Sequence, residues 1–137
     1  MTALRCVLSG VASALVAGAL SLAAPHPAAA QDRPIVLGGN DEFDACNSAG
    51  VVSGLDPRGD GFLSLRGGPG TQYRERRRLP AGARLIICHD QGEWLAVVVP
   101  TGSGGCGVTT PWPRRRAYSG PCPSGWVHRR WVTVTAG

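Results

Sequence analysis

Four cysteines, Cys46, Cys88, Cys106 and Cys122, constrain this chain more than any other feature. A fifth, Cys6, stands in an N-terminal segment with the pattern of a secretory signal. Arg5 precedes an almost uncharged run from Cys6 to Ala24, and Pro25, Pro27 and the small residues Ala28-Ala29-Ala30 follow as a cleavage site. Cleavage after Ala30 is expected, with an uncleaved anchor as the alternative, because about 20 apolar residues suffice to span a bilayer. No later stretch approaches that length, so no transmembrane segment is expected after cleavage, and Cys6 lacks a lipoprotein box. Loss of Cys6 leaves an even set of cysteines in a chain bound for the periplasm or the exterior, where thiols oxidise to disulfides. Four cysteines allow three pairings. If Cys106 pairs with Cys122, the closed loop of about 16 residues contributes roughly 3 kcal/mol, and Cys46 is left to join the leader to Cys88.

Gln31 to Gly137 suffices for one domain and is short for two. Residues 31–50 show no clear period and read as an irregular leader pinned by Cys46. From Val51 the chain becomes a series of short apolar runs between turn signals. Gly54 to Gly61 is dense in Gly, Pro and Asp and reads as a loop. Phe62 to Arg66 reads as a strand ended by Gly67-Gly68-Pro69-Gly70. Leu79-Pro80-Ala81-Gly82 reads as a turn opening the strand Arg84 to His89. Asp90 to Glu93 turns the chain into Trp94 to Val99, with Trp94, Ala96 and Val98 on one face and Leu95, Val97 and Val99 on the other. Trp126-Val127 and Trp131 to Thr135 are two more strands, linked by one helical turn at His128-Arg129-Arg130. No segment beyond the signal carries a 3.6-residue stripe, so the expectation is all-β, a small barrel of five to six short strands. A long insertion, residues 101–124, interrupts it before the penultimate strand. It holds Cys106, Cys122 and Pro111-Trp112-Pro113, and structureless loops longer than about 12–15 residues are functional or disordered.

All fourteen basic residues are arginine. Without Arg5, thirteen arginines against nine acidic residues leave the mature chain at +4, a balance that favours anionic partners outside the cytoplasm. The arginines cluster at 74–78, at 114–116 and at 129–130. Each cluster is either solvated loop charge or a ligand-facing patch.

Phe62-Leu63-Ser64-Leu65-Arg66-Gly67-Gly68-Pro69-Gly70-Thr71-Gln72-Tyr73 resembles the "LNVRSGPGT-x-Y" element of the bacterial SH3-like domain. The turn Leu79 to Gly82, the strand Leu85 to Cys88, Gly92-Glu93-Trp94-Leu95-Ala96-Val97 and Gly125-Trp126-Val127 follow in that family's order. The resemblance covers residues 51–134 of the 51–137 domain. It implies a small exported barrel that binds peptidoglycan or a cell-envelope peptide, with Tyr73 near the ligand groove. The chain departs from the family in its long insertion and in lacking a fused hydrolase domain.

No nucleophile–base pair, carboxylate pair or open metal site stands out, so a non-catalytic binding module without cofactor or metal is expected. His89 and His128 read as surface residues near turns. Asp56 to Gly61 has too few oxygen ligands for calcium, and its Arg58-Gly59-Asp60 triplet is explained by turn chemistry. The candidate ligand residues are Tyr73, Trp112, Arg114, Arg115, Arg116 and Tyr118. On the insertion, aromatic rings would stack on sugars or a peptide while guanidinium groups pair with carboxylates or phosphates. The alternative for Trp112 is a lid folded over the barrel, and Trp94 and Trp126 are expected in the core. A docked envelope protein, or nonspecific adsorption of anionic polymers by arginine, are the rival partners; nucleic acid is disfavoured.

Overall fold

The computed structural model describes residues 23–137, so most of the expected signal, with Arg5 and Cys6, lies outside the described residues. Among the described residues no helix is long and apolar enough to cross a membrane. Among the described residues, eleven strands and one 3-10 turn make up the regular structure, confirming the all-β expectation. The leader carries β1 (Val36–Leu37), β2 (Asn40–Asp44) and the start of β3 (Ser48–Val52). Then come β4 (Phe62–Arg66), β5 (Glu75–Pro80), β6 (Arg84–Gln91) and β7 (Trp94–Val98). The insertion holds β8 (Pro111–Trp112) and β9 (Arg116–Ala117). The chain closes with β10 (Ser124–His128), the 3-10 turn Arg129–Trp131, and β11 (Val132–Ala136).

Seven strands form one antiparallel sheet in the order β11-β3-β6-β7-β10-β4-β5. Its two edges, β11 and β5, do not pair, so the expected barrel of five to six strands is replaced by an open seven-stranded sheet. All seven strands nonetheless feed one apolar cluster, from Val52 of β3, Leu63 and Leu65 of β4 and Leu79 of β5 to Leu85 of β6, Val97 of β7 and Val127 of β10, with Val132 of β11 against it. The sheet therefore wraps around that core. β5 replaces what the sequence reads as charged loop. It is an edge strand on which only Leu79 is buried, so its arginines interrupt no core, and charge on an edge discourages pairing with another chain.

The two faces of β7 sort as the alternation predicts. Leu95, Val97 and Val99 enter the wrapped core, while Ala96 and Val98 enter a second cluster with Ile35, Leu37, Val108, Tyr118 and Trp126. A half-buried strand would leave one face to water, but here leader and insertion cover it. β1 pairs with β9 and β2 with β8, and the leader is thus ordered, contrary to the irregular segment expected. Its strands are invisible locally because their partners lie in the insertion. Further bonds tie it down: Arg33 donates its N–H to Gly67 O at 2.7 Å, Tyr118 N–H donates to Ile35 O at 2.9 Å, and Trp126 Nε1 donates to Arg33 O at 2.8 Å. Disulfides join Cys46 to Cys88 and Cys106 to Cys122, one fixing the leader to β6 and the other closing the insertion.

Candidate functional site

β4 and β10 are neighbours, yet their ladder holds at a single position, Trp126↔Arg66. Beyond it, toward Phe62 on one strand and His128 on the other, a cleft of about 380 Å³ opens. Its apolar walls are Leu55, Phe62, Leu63, Trp94 and Trp131; Asp56, Asp60, Ser64, Arg66, Thr71 and His128 supply the polar groups.

Each wall is held from behind. The loop after β3 is closed by Asp56, whose carbonyl accepts Gly59 N–H at 3.0 Å and whose Oδ1 accepts Arg58 N–H at 2.8 Å. Trp131 O accepts Ser53 N–H at 3.0 Å, tying the 3-10 turn to the start of the same loop. His128 Nδ1 accepts Arg130 N–H at 3.2 Å, so the proton of the neutral imidazole resides on Nε2. The ring stands edge-on to Trp94 at 5.3 Å. The Arg78 guanidinium covers Phe62 at 4.3 Å and that of Arg130 covers Trp131 at 5.0 Å. Arg78 is in turn held by Glu75 at 2.7 Å, and Glu75 accepts the Ser64 hydroxyl. The Ser64 bond first, then Arg78, holds the Glu75 carboxyl below the usual range, so this chain stays charged. Arg66 Nη1 donates to Tyr73 O at 2.9 Å, placing its guanidinium at one margin of the cleft with Asp56 and Asp60 in the loop wall. The arrangement suits a ligand with apolar faces and ionised or hydrogen-bonding groups of both signs.

The residues singled out from sequence fall elsewhere. Tyr73 lies against Gly68, where an added Cβ would fall 2.4 Å from its Cδ1; Thr71, from the same turn, lines the cleft instead. Tyr118, expected to stack on a ligand, is a buried member of the second cluster. It is 8% exposed, and its hydroxyl donates to Cys106 O at 2.9 Å and accepts Cys122 N–H at 3.2 Å, because closing the insertion buries two backbone groups that need partners. Trp112 is half-buried against the second cluster: the Arg116 guanidinium lies over its ring at 4.1 Å, the ring stacks with Tyr118 at 6.3 Å, and its Nε1 donates to Gly107 O at 2.9 Å. Arg114, Arg115 and Arg116 are exposed. Trp126 is in the core as expected, but Trp94 is half-buried and lines the cleft. The signal for the cleft was position within the strand. Phe62 and Trp94 open their strands just after Gly61 and Gly92-Glu93, and Trp131 directly precedes β11, so all three aromatics sit at strand ends beside turns.

Comparison of the chain with family models, with curated proteins and with solved structures finds no match.

Proposed function

We propose that this protein is an exported, non-catalytic binding module of the bacterial SH3-like type, and that its ligand is peptidoglycan or a peptide of the cell envelope. The observation that carries this reading is the cleft of Phe62, Trp94 and Trp131 with Arg66, Asp56 and Asp60 at its margins. Ring faces of this kind cover sugar or apolar peptide surface. Carboxylates in the loop wall and a guanidinium at another margin match a ligand that carries both an amine and a carboxylate, as wall peptides do. The SH3-like assignment is supported by the order of motifs from Phe62 to Val127 and by the wrapping of the sheet around one core.

A second reading, adsorption of anionic polymers, is favoured by one observation: Arg114, Arg115 and Arg116 have no carboxylate partner among the described residues, whereas Arg74, Arg76, Arg78 and Arg129 each have one. Salt separates the two readings, since screening weakens exposed charge contacts far more than a buried aromatic contact.

The test is co-sedimentation of the oxidised chain from Gln31 with purified sacculi across a salt series. Binding is expected to persist at high salt and to fall at least tenfold in Trp131→Ala, the loss of about 1.4 kcal/mol or more that removal of an aromatic anchor produces. The replacement of Arg114, Arg115 and Arg116 by Ser is expected to leave it nearly unchanged. The reverse ranking, or binding abolished by modest salt, would overturn the cleft as the wall-binding site.

A further inference from the structure

On the side of the molecule covered by leader and insertion, two groups of charge adjoin. The ladder of β2 and β8 jumps from Asn40↔Trp112 to Asp44↔Pro111, which pushes Asp41, Glu42 and Phe43 out of register as a bulge. Asn40 Oδ1 accepts Glu42 N–H at 2.7 Å and Phe43 N–H at 3.2 Å, so the tip is locked by its own Asx turn. Phe43 is 60% exposed, and every residue of β2 is exposed. The neighbouring turn between β8 and β9 carries Arg114 and Arg115 and runs into Arg116, the first residue of β9. Gly38, at φ +91°, passes so close that an added Cβ would lie 2.6 Å from Arg114 O, and one on Gly39 would lie 3.8 Å from Arg115 Cβ. Only Gly38 to Asn40 separates the basic turn from the acidic tip.

Among the described residues, no ion pair joins Asp41, Glu42 or Asp44 to Arg114, Arg115 or Arg116, and none of the six pairs elsewhere. The surface is neutral in sum and sharply bipolar. An anionic polymer drawn to the turn meets the acidic tip, and a cationic partner drawn to the tip meets the arginines. A partner that is bipolar in the same sense satisfies both, and a second copy of this chain is such a partner. A two-fold axis running between the tip and the turn sets the whole surface against its own image, so the acidic tip of one copy faces the arginine turn of the other twice over. Exposed Phe43 supplies apolar area at the acidic tip, and β2 has a free outer edge because among the described residues it pairs with β8 alone.

We propose that this bipolar surface is a homodimer interface, in which the Asp41–Asp44 tip of each protomer engages the Arg114–Arg116 turn of its partner. It is distinct from the cleft and does not depend on what the cleft binds. The test is sedimentation velocity of the oxidised chain at low and high salt, with two charge-reversal variants: Asp41→Lys/Glu42→Lys/Asp44→Lys, and Arg114→Glu/Arg115→Glu/Arg116→Glu. The wild-type chain is expected to dimerise at low salt, with affinity falling about tenfold or more when salt shortens the screening length to a few ångströms. Each variant alone is expected to be monomeric, and an equimolar mixture is expected to dimerise again. Intact mass without reductant and melting temperature check that each variant folds; Phe43→Ser, also expected to weaken the dimer, serves if one does not. A wild-type monomer at low salt, a reversal variant that still dimerises, or two folded monomeric variants that fail to associate would each overturn the proposal.

Discussion

His89 shows how a single residue of the insertion reaches the sheet. Its half-buried ring stands edge-on to Trp126 at 5.4 Å. Burial first, and the positive charge of Arg115 second, hold its imidazole below the ordinary value of 6.5, with Asp90 acting in the opposite direction. The folded protein therefore holds that proton less readily than the unfolded chain does. The sign follows from linkage: the contribution to stability is complete above about pH 6.5 and is lost as pH falls below it through the lowered folded value. Arg115→Ser removes one of the two depressing causes, so the His89 titration is expected to move up and the loss of stability below pH 6.5 to become shallower. Imidazole titration by NMR, with thermal melts over the same pH range, checks both; an unchanged His89 titration would place Arg115 away from the ring. None of this was legible in the sequence, because no periodic pattern relates residue 115 to residue 89. The same blindness covers Tyr118 and Trp94. Both are aromatic residues in plausible ligand or core contexts, and only tertiary packing decides which faces a cavity and which bonds to buried backbone.

At the scale of elements, legibility follows how local the stabilising contacts are. β6, β7 and β10 alternate apolar residues over a two-sided core and β4 over one face of it, and their positions were readable to within a residue or two. β5 was not, since its apolar content is one buried leucine. β1, β2, β8 and β9 were not, since each exists through a partner distant in sequence. The insertion is held by two devices that share residues. Tyr118→Phe leaves Cys106 O and Cys122 N without their buried partner, at a cost of about 1–3 kcal/mol. Replacing Cys106 and Cys122 by Ser is expected to cost about 3 kcal/mol through the unfolded chain. Because the hydroxyl bonds to the backbone of the bridged residues themselves, the two losses are expected to be non-additive, the combined variant being less unstable than their sum. Denaturant unfolding of the three variants measures this; strict additivity would mean that the hydroxyl and the disulfide order separate parts of the insertion.

For the whole molecule, the two cores lie back to back across β6, β7 and β10, and only the outer one depends on the leader. Deleting Gln31 to Leu37 removes Ile35 and Leu37, each 2% exposed, whose burial stabilises by about 1.5–3 kcal/mol apiece. It also leaves Trp126 Nε1 and Tyr118 N–H without their acceptors. The wrapped core loses nothing directly, since its side chains come from residues 52–132. Hydrogen exchange on the truncated chain is therefore expected to show loss of protection at Tyr118 and Cys122 with retention at Leu65. A uniform loss would mean that the two cores form one cooperative unit. Trp94 is where the halves meet, because it packs against the outer cluster and also lines the cleft. Truncation is thus expected to weaken ligand binding moderately through the orientation of that ring, while Phe62 and Trp131, which do not belong to the outer cluster, keep the remainder of the cleft intact.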